Sequence, residues 1–252
     1  MPSTGYTDGT GRCSVYDPVL STNYTTGLWK TCPLWEYLFD PSIGVLWDYN
    51  ATSYDASNDW TLTQATSGTA AISTTVQGAL LIDSGATTDN QGVNLQALKA
   101  CFVPAANKSL WWETYFSVTA ATPPVTRLQL FAGLAASDTT IIAAGAMTTN
   151  NRLGAMILDG GLLVTTLTAD KAGTATTKTG PTLVDGTAIR IGGYYDGVGD
   201  THQFFVNGAA SQTAIATANI PKVAIFPSIV VQSDATDRPT MLLRAFRVFQ
   251  LR

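Results

Sequence analysis

The stretch Gly186–Ala210 constrains the fold of this chain most strongly, because two strand-like runs and two turn signals follow one another in it. The runs are Ala188–Tyr195, rich in apolar and aromatic residues, and Thr201–Val206, which alternates between two faces. The glycine-containing segment Asp196–Asp200 separates them, and the pair Asn207-Gly208 follows. Asn-Gly favours a type I′ turn, because both central residues of that turn need a positive φ. The stretch therefore predicts consecutive antiparallel hairpins, but it predicts no chemistry.

Short runs of this kind recur along the chain with turn residues between them, and no segment shows a sustained helical period. This pattern is typical of an antiparallel β-sandwich or barrel. The closing run 241–251 is apolar on both faces, and we expect it to pair with the opening strand 43–48. The predicted strands are 45–47, 60–63, 70–76, 78–83, 93–98, 100–103, 109–118, 125–134, 139–147, 152–158, 162–168, 188–195, 201–206, 212–218, 223–232 and 241–251, with 169–180 as a loop or an edge strand.

The composition indicates a protein with a large core and an exterior that carries little charge. Of the 252 residues, 45% are hydrophobic and only 13% are charged, and a surface with few charges is easily desolvated by another protein. The net charge of −4 without a basic cluster argues against nucleic-acid binding. No apolar run reaches the roughly 20 residues of a membrane helix, and the first residues lack the pattern of a signal peptide. We therefore expect synthesis in the cytoplasm.

Residues 1–41 differ from residues 42–252, and we predict an extended N-terminal arm followed by a single β-sandwich domain. The first 26 residues are rich in Gly, Ser, Thr and Tyr and have little periodicity. Four large aromatic side chains follow, and we take them as candidates for protein interaction: Trp29, Trp35, Tyr37 and Phe39. Two interpretations stay open, since the cluster could cap its own domain or dock on a neighbouring subunit.

No arrangement of residues in the sequence predicts an active site. The one histidine, His202, lies inside an alternating strand, and we expect it to have a structural role. The only glutamates, Glu36 and Glu113, are far apart in sequence. A glycosidase needs two carboxylates at a fixed separation, so we expect no catalytic residues and no enzyme activity.

Metal and cofactor sites are not predicted either. Three cysteines occur without a CxxC pair, and their odd number favours reduced thiols over a bridge between Cys13 and Cys32. Asp196 and Asp200 offer too few oxygen atoms for calcium, so we interpret their loop as a plain turn. We interpret the polar loop with Asp83, Asp89 and Asn90 in the same way.

From Trp47 onward the chain resembles the concanavalin A-like jelly roll, the two-sheet sandwich of lectins and laminin-G-like domains. The order of several short segments carries the resemblance over about four fifths of the chain. These segments are Trp60–Leu62, Gly78–Ile82, Lys108–Phe116, Phe131–Ala135, Leu183–Gly186, Tyr194–Gly197, Phe204–Gly208 and Phe246–Val248.

Two further features make the chain look like virion-surface proteins of tailed bacteriophages: Asp89-Asn90 after a glycine-containing loop, and Gly133–Ala135 followed by Ser137–Thr139. This resemblance implies a protein on the capsid surface of the virion that decorates or cements the shell. Its implied partners are the major capsid protein and further copies of itself, with a trimer as a plausible oligomer. The alternative is a carbohydrate-binding module, in which one of Trp111 and Trp112 stacks on a sugar, because neighbouring strand residues point to opposite faces.

Overall fold

Antiparallel β-strands build the fold, as the alternation of apolar and polar residues predicts. The structure, a computed structural model, describes residues 6–7, 13–14, 28–33, 40–51, 53–56, 58–65, 67–85, 88–120, 126–148, 151–158, 163–234 and 237–252. Three short 3₁₀ helices lie at Leu28–Thr31, Pro41–Ile43 and Thr217–Asn219. The strands are β1 (Tyr6–Thr7), β2 (Cys13–Ser14), β3 (Gly44–Tyr49), β4 (Trp60–Ala65), β5 (Thr69–Ile72), β6 (Leu80–Asp83), β7 (Gly92–Ala97), β8 (Leu110–Ala120), β9 (Gln129–Ala135), β10 (Ile142–Ala143), β11 (Ala146–Met147), β12 (Asn151–Ile157), β13 (Val164–Lys171), β14 (Thr174–Thr182), β15 (Ile189–Asp196), β16 (Thr201–Val206), β17 (Ala209–Ala216), β18 (Phe226–Gln232) and β19 (Pro239–Leu251).

Two large antiparallel sheets form a sandwich. The seven-stranded sheet has the order β14-β13-β12-β9-β18-β7-β4. The eight-stranded sheet has the order β17-β16-β15-β8-β19-β6-β5, and β3 pairs with the second half of β19. The predicted two-sheet sandwich is therefore confirmed, and so is the pairing of the opening strand with the closing strand.

The core lies between the sheets and is formed by the inward side chains of each strand. On β8, Trp112 points into this core while Trp111 joins a separate cluster on the outer face, as strand alternation predicts. Burying one aromatic side chain of this size stabilises the fold by about 1.5–3 kcal/mol. The largest inward side chains include Trp60, Trp112, Phe116, Phe204 and Phe246.

The hairpin prediction at Asn207-Gly208 is confirmed, because both residues have positive φ, 50° and 79°, and they join β16 to β17. Two strand predictions are wrong. Residues 100–103 contribute only an isolated bridge between Phe102 and Ile225, and residues 139–147 fold as a loop with the two-residue strands β10 and β11. The segment Asp159-Gly160-Gly161, whose residues also predict a hairpin turn, lies outside the described residues.

The proposed boundary between residues 1–41 and 42–252 stays a prediction. Of the first 41 residues, the structure describes the pair β1–β2 and residues 28–33, 40 and 41. None of the helices in the described residues has the length and apolar character needed to span a membrane.

Candidate functional site

The outer face of the eight-stranded sheet is covered by the 3₁₀ helix Leu28–Thr31. Leu28 and Trp29 are buried against Trp111 and Phe249, at 2% and 3% exposure. Glycine at position 192 makes this approach possible, since a β-carbon there would lie 2.7 Å from Leu28 Cδ2. The four side chains form a hydrophobic cluster on the outside of the sheet, which we call the Trp29 contact.

Charged side chains surround the indole of Trp29. Its Nε1 donates a hydrogen bond of 3.2 Å to Glu113 Oε2, and Glu113 is only 2% exposed. The guanidinium of Arg247 lies 5.9 Å from the centre of the Trp29 ring and binds Asp48 Oδ2 at 2.5 Å. A buried carboxylate is costly unless it is hydrogen-bonded, so Glu113 has a structural role beneath Trp29.

Of the four candidate anchors, only Trp29 lies in the described part of the chain. Trp29 packs on its own sheet, which agrees with the interpretation that the aromatic cluster covers its own domain. Trp35, Tyr37 and Phe39 lie outside the described residues. Docking of this segment on a neighbouring subunit stays a prediction for all four residues.

Residues 136–148 cover the outer face of the seven-stranded sheet. Ile141 and Ile142 are fully buried there against Phe131, Met156 and Val230. This arrangement explains why the predicted strand 139–147 is wrong: its apolar residues cover a sheet face and do not extend a sheet. This part of the sheet is therefore occupied by the chain itself.

Amide side chains of the sheet hold this loop in place. Gln96 Nε2 donates to Ala136 O at 3.0 Å and to Ser228 Oγ at 2.9 Å, while its Oε1 accepts from Asp138 N at 3.0 Å. Asn94 Nδ2 donates to Asp138 O at 3.1 Å. The loop is therefore a fixed part of the fold.

A buried ion pair lies on the same face, where Arg152 Nη1 binds Asp170 Oδ2 at 2.8 Å. Burial lowers the pKa of Arg152, and the neighbouring Asp170 carboxylate opposes that shift. Asp170 Oδ1 also accepts from Gly173 N at 2.9 Å. Because both side chains are almost fully buried, this pair is not a site for a ligand.

A group of oriented and exposed polar side chains lies at one end of the sandwich, in the connections β6–β7, β8–β9 and β18–β19. We call it the upper end. Asp237 Oδ2 accepts from Thr126 N at 2.7 Å, Thr126 Oγ1 at 2.8 Å and Arg127 N at 2.8 Å. Burial alone would raise the pKa of Asp237, but these donors outweigh it and hold the pKa below the ordinary value of 3.8. The carboxylate is therefore ionised and fixed at neutral pH.

Two further groups complete the upper end. Arg238 binds Asp83 with two hydrogen bonds, Nε to Oδ1 at 3.0 Å and Nη2 to Oδ2 at 2.6 Å. The buried Gln129 donates from Nε2 to Asp89 Oδ1 at 3.1 Å and to Asn90 Oδ1 at 2.9 Å. The polar pattern of 83–90 predicts a turn, and Asn90 does have a positive φ of 62°. The loop also presents fixed acceptors beside exposed donors, which the sequence does not indicate.

His202 is fully buried in the core. Its Nε2 accepts from Trp112 Nε1 at 3.2 Å, and a β-carbon on Gly193 would lie 2.4 Å from that same Nε2. Burial lowers the pKa of His202 to about 3. The imidazole is therefore neutral, and its contacts fit a structural role.

The loop 196–200 is fixed by its own side chains and by Lys222. Asp196 Oδ1 accepts from Val198 N at 3.0 Å, and Tyr195 OH donates to Asp200 Oδ1 at 2.9 Å. Lys222 Nζ contacts both Tyr195 OH and Asp200 Oδ1. Among the described residues, no group of three Asp, Glu, His or Cys side chains is arranged to hold a metal ion.

The upper end holds hydrogen-bond donors and acceptors side by side. It presents carboxylates that accept hydrogen bonds and guanidinium and amide groups that donate them. Glu113 is engaged under Trp29 on the outer face of the eight-stranded sheet, and Glu36 lies outside the described residues. A pair of glutamates flanking a cleft is therefore not found in the described part of the chain.

Comparison with solved structures shows the fold. The chain is similar to lectin I of Ulex europaeus, solved with the methyl glycoside of α-L-fucose, with a TM-score of 0.60, 10% identity and coverage of 83% of this chain and 98% of that chain. It is similar to peanut lectin, solved with a nine-residue peptide, with a TM-score of 0.57, 13% identity and coverage of 83% and 98%. It is also similar to the endo-1,3-β-glucanase of Streptomyces sioyaensis, with a TM-score of 0.56, 15% identity and coverage of 83% and 96%.

No protein-family model matches the chain, and no curated protein sequence is significantly similar to it. The concanavalin A-like sandwich is thus shown by structural similarity, and two of these three similar structures are lectins. The resemblance to bacteriophage virion proteins stays a prediction.

Proposed function

We propose that this protein is a non-catalytic recognition domain that binds a saccharide at the upper end of the sandwich. The observation that carries the proposal is the set of fixed polar groups there: the Asp89, Asp237 and Asn90 side chains beside the exposed Arg127 and Arg238. Sugar hydroxyl groups both donate and accept hydrogen bonds, so a sugar site needs donors and acceptors held close together. The lectins with the same fold support this choice of ligand class.

The outer face of the seven-stranded sheet is less suited to this role, because residues 136–148 cover it with buried apolar side chains. Four of the described tryptophans are also unsuited to stacking on a sugar, since Trp29, Trp60, Trp111 and Trp112 are buried. Binding at the upper end therefore depends on hydrogen bonds.

The test is a glycan array probed with the full chain, with and without calcium. We expect at least one saccharide to be retained, and we expect Arg127→Gln and Asp89→Asn each to weaken its binding about tenfold, equivalent to about 1.4 kcal/mol. Asp59→Asn, at the opposite end, is the matched control and should leave binding unchanged. An array without a reproducible ligand, or binding that neither upper-end variant weakens, would contradict the proposal.

A second candidate function is a structural role on the capsid of a tailed bacteriophage virion, with the major capsid protein and further copies of this chain as partners. The low-charge composition favours it, because few charges need to be desolvated on association. Sedimentation equilibrium of the full chain tests it: a stable trimer is expected, and a monomer at every concentration argues against this function.

A further inference from the structure

Three side chains lie in one row across the outer face of the eight-stranded sheet: Arg190 on β15, Tyr115 on β8 and Arg244 on β19. Arg190 is directly opposite Tyr115 in the β15–β8 register. The guanidinium carbons of Arg190 and Arg244 lie 4.8 Å and 5.6 Å from the centre of the Tyr115 ring. Two positive charges therefore flank one aromatic ring, and we call this group the arginine row.

A β-bulge in β19 creates the row. The pairing with β8 shifts between Leu243 and Ala245, so that Arg244 is an additional residue beside the pair of Ala245 and Tyr115. Regular alternation running back from Ala245 would place residue 244 on the inner face of the sheet. The bulge thus adds a second guanidinium to the same side of the sheet as Arg190.

The positive charge of Arg244 is not neutralised within the described part of the chain. None of the ion pairs found there includes Arg244, and its buried Nε atom has no hydrogen-bond acceptor. Two acidic residues on this face are engaged elsewhere, since Glu113 accepts from Trp29 and Asp48 binds Arg247. An external anion would therefore meet a guanidinium whose charge is not paired within the described residues.

We propose that the arginine row binds a carboxylate of an acidic polypeptide segment. A guanidinium matches the planar carboxylate with two parallel hydrogen bonds, and two guanidinium groups can bind it from both sides. A polypeptide is favoured because the same face already binds one: Glu113, which contacts Trp29, is two residues from Tyr115 along β8. Leu242, the half-buried outward neighbour on β19, adds apolar surface for a peptide side chain.

This site is separate from the upper end, so it stands or fails independently of saccharide binding. The test is fluorescence anisotropy of labelled hexaglutamate with the full chain at low ionic strength. We expect saturable binding that weakens about tenfold or more in Arg190→Gln/Arg244→Gln. The control Lys99→Gln/Lys178→Gln removes the same charge elsewhere on the molecule and should change the affinity less than about twofold.

A second variant distinguishes loss of the binding site from misfolding. Arg190→Lys/Arg244→Lys keeps the charge but loses the planar donor geometry, so it should weaken binding at least about threefold. Absence of saturable binding by the unmodified chain, or equal losses in Arg190→Gln/Arg244→Gln and Lys99→Gln/Lys178→Gln, would overturn the proposal. Hexagalacturonate bound as tightly as hexaglutamate through the same arginines would also overturn it, since the ligand would then be an acidic saccharide.

Discussion

At the scale of single residues, His202 illustrates how burial decides the role of a titratable group. It is the one histidine of the chain, and it contacts Trp112 and Phe204 in the core, with ring centres 6.3 Å and 4.5 Å away. The alternation of its strand predicts a structural residue of this kind. The lowered pKa follows from the internal position, because burial disfavours the charged imidazolium.

His202 should make the protein sensitive to acid. The folded-state pKa of about 3 lies below the ordinary value of 6.5, so the unfolded chain binds the proton first and stability falls as the pH drops below 6.5. We expect His202→Gln, whose amide oxygen can still accept from Trp112, to remove this loss. Between pH 6.5 and 4.5 the unmodified chain should lose about 2–3 kcal/mol more of its free energy of unfolding than His202→Gln, at about 1.4 kcal/mol for each pH unit.

Urea denaturation of both proteins at the two pH values measures this difference. Because the chain has no other histidine, any effect of this size is assigned to residue 202. An identical pH dependence of the unfolding free energy in both proteins would contradict the expectation.

The contact between Trp29 and Glu113 shows what sequence could not predict at this scale. The aromatic neighbours of Trp29 indicate an anchor, but its acceptor is 84 residues away in the chain. Such a contact depends on the order of strands in the folded sheet. The opposite faces of Trp111 and Trp112 follow from local alternation alone, and that prediction is confirmed.

At the scale of elements, the loop 136–148 shows how a strand-like sequence can take another role. Its residues 139–147 are apolar and β-branched, which favours a strand. Asp138 closes the loop instead, because its Oδ1 accepts from Thr140 N at 2.8 Å and its Oδ2 from Thr148 Oγ1 at 3.0 Å. The apolar residues then pack down onto the sheet.

Gln96→Leu should loosen this loop, because it removes the acceptor of Asp138 N and the donor to Ala136 O. Each buried polar group left without a partner costs about 1–3 kcal/mol. We expect the amide of Thr148, which donates to Ile141 O at 3.0 Å, to exchange its hydrogen at least about tenfold faster. Hydrogen–deuterium exchange with mass spectrometry measures this rate.

The exposed Thr61, opposite Gln96 on β4, offers a control. Thr61→Val changes the same sheet face, but the structure records no hydrogen bond from the Thr61 side chain to the loop. Hydrogen exchange at Thr148 should therefore stay at the rate of the unmodified chain. If exchange in Gln96→Leu also stays at that rate, the hydrogen bonds of Gln96 do not hold the loop.

At the scale of the whole molecule, the Trp29 contact makes the N-terminal segment part of the stability of the sandwich. Trp29→Phe keeps most of the apolar contact but removes the hydrogen bond to the buried Glu113. We expect a loss of about 1–3 kcal/mol in the free energy of unfolding, as for other hydrogen bonds to charged groups. Urea denaturation at neutral pH measures it.

Trp47→Phe provides the comparison, since Trp47 is a partly buried tryptophan in the aromatic cluster with Tyr49, Trp60 and Phe246. The substitution removes the same number of atoms as Trp29→Phe, but the structure records no hydrogen bond from the Trp47 indole that it could break. If Trp29→Phe loses no more unfolding free energy than Trp47→Phe, the hydrogen bond between Trp29 and Glu113 does not stabilise the fold.

The architecture was predictable to the level of two packed sheets and the pairing of the first and last strands of the sandwich. The order of strands in each sheet was not, because β6, β8 and β3 all compete for the long β19 with similar apolar patterns. The upper end could not be identified as a site from the sequence either. Its groups come from three connections that are distant in sequence and meet only when both sheets are complete.

The position of β19 has a consequence for synthesis of the protein. This strand pairs with β8 on one side and with β6 and β3 on the other, so the middle of the eight-stranded sheet stays open until residue 251 has left the ribosome. A nascent chain would expose the unpaired edges of β8 and β3 throughout translation, and such edges invite aggregation. Production of this protein should therefore benefit from slow translation at low temperature or from chaperones that bind extended chains.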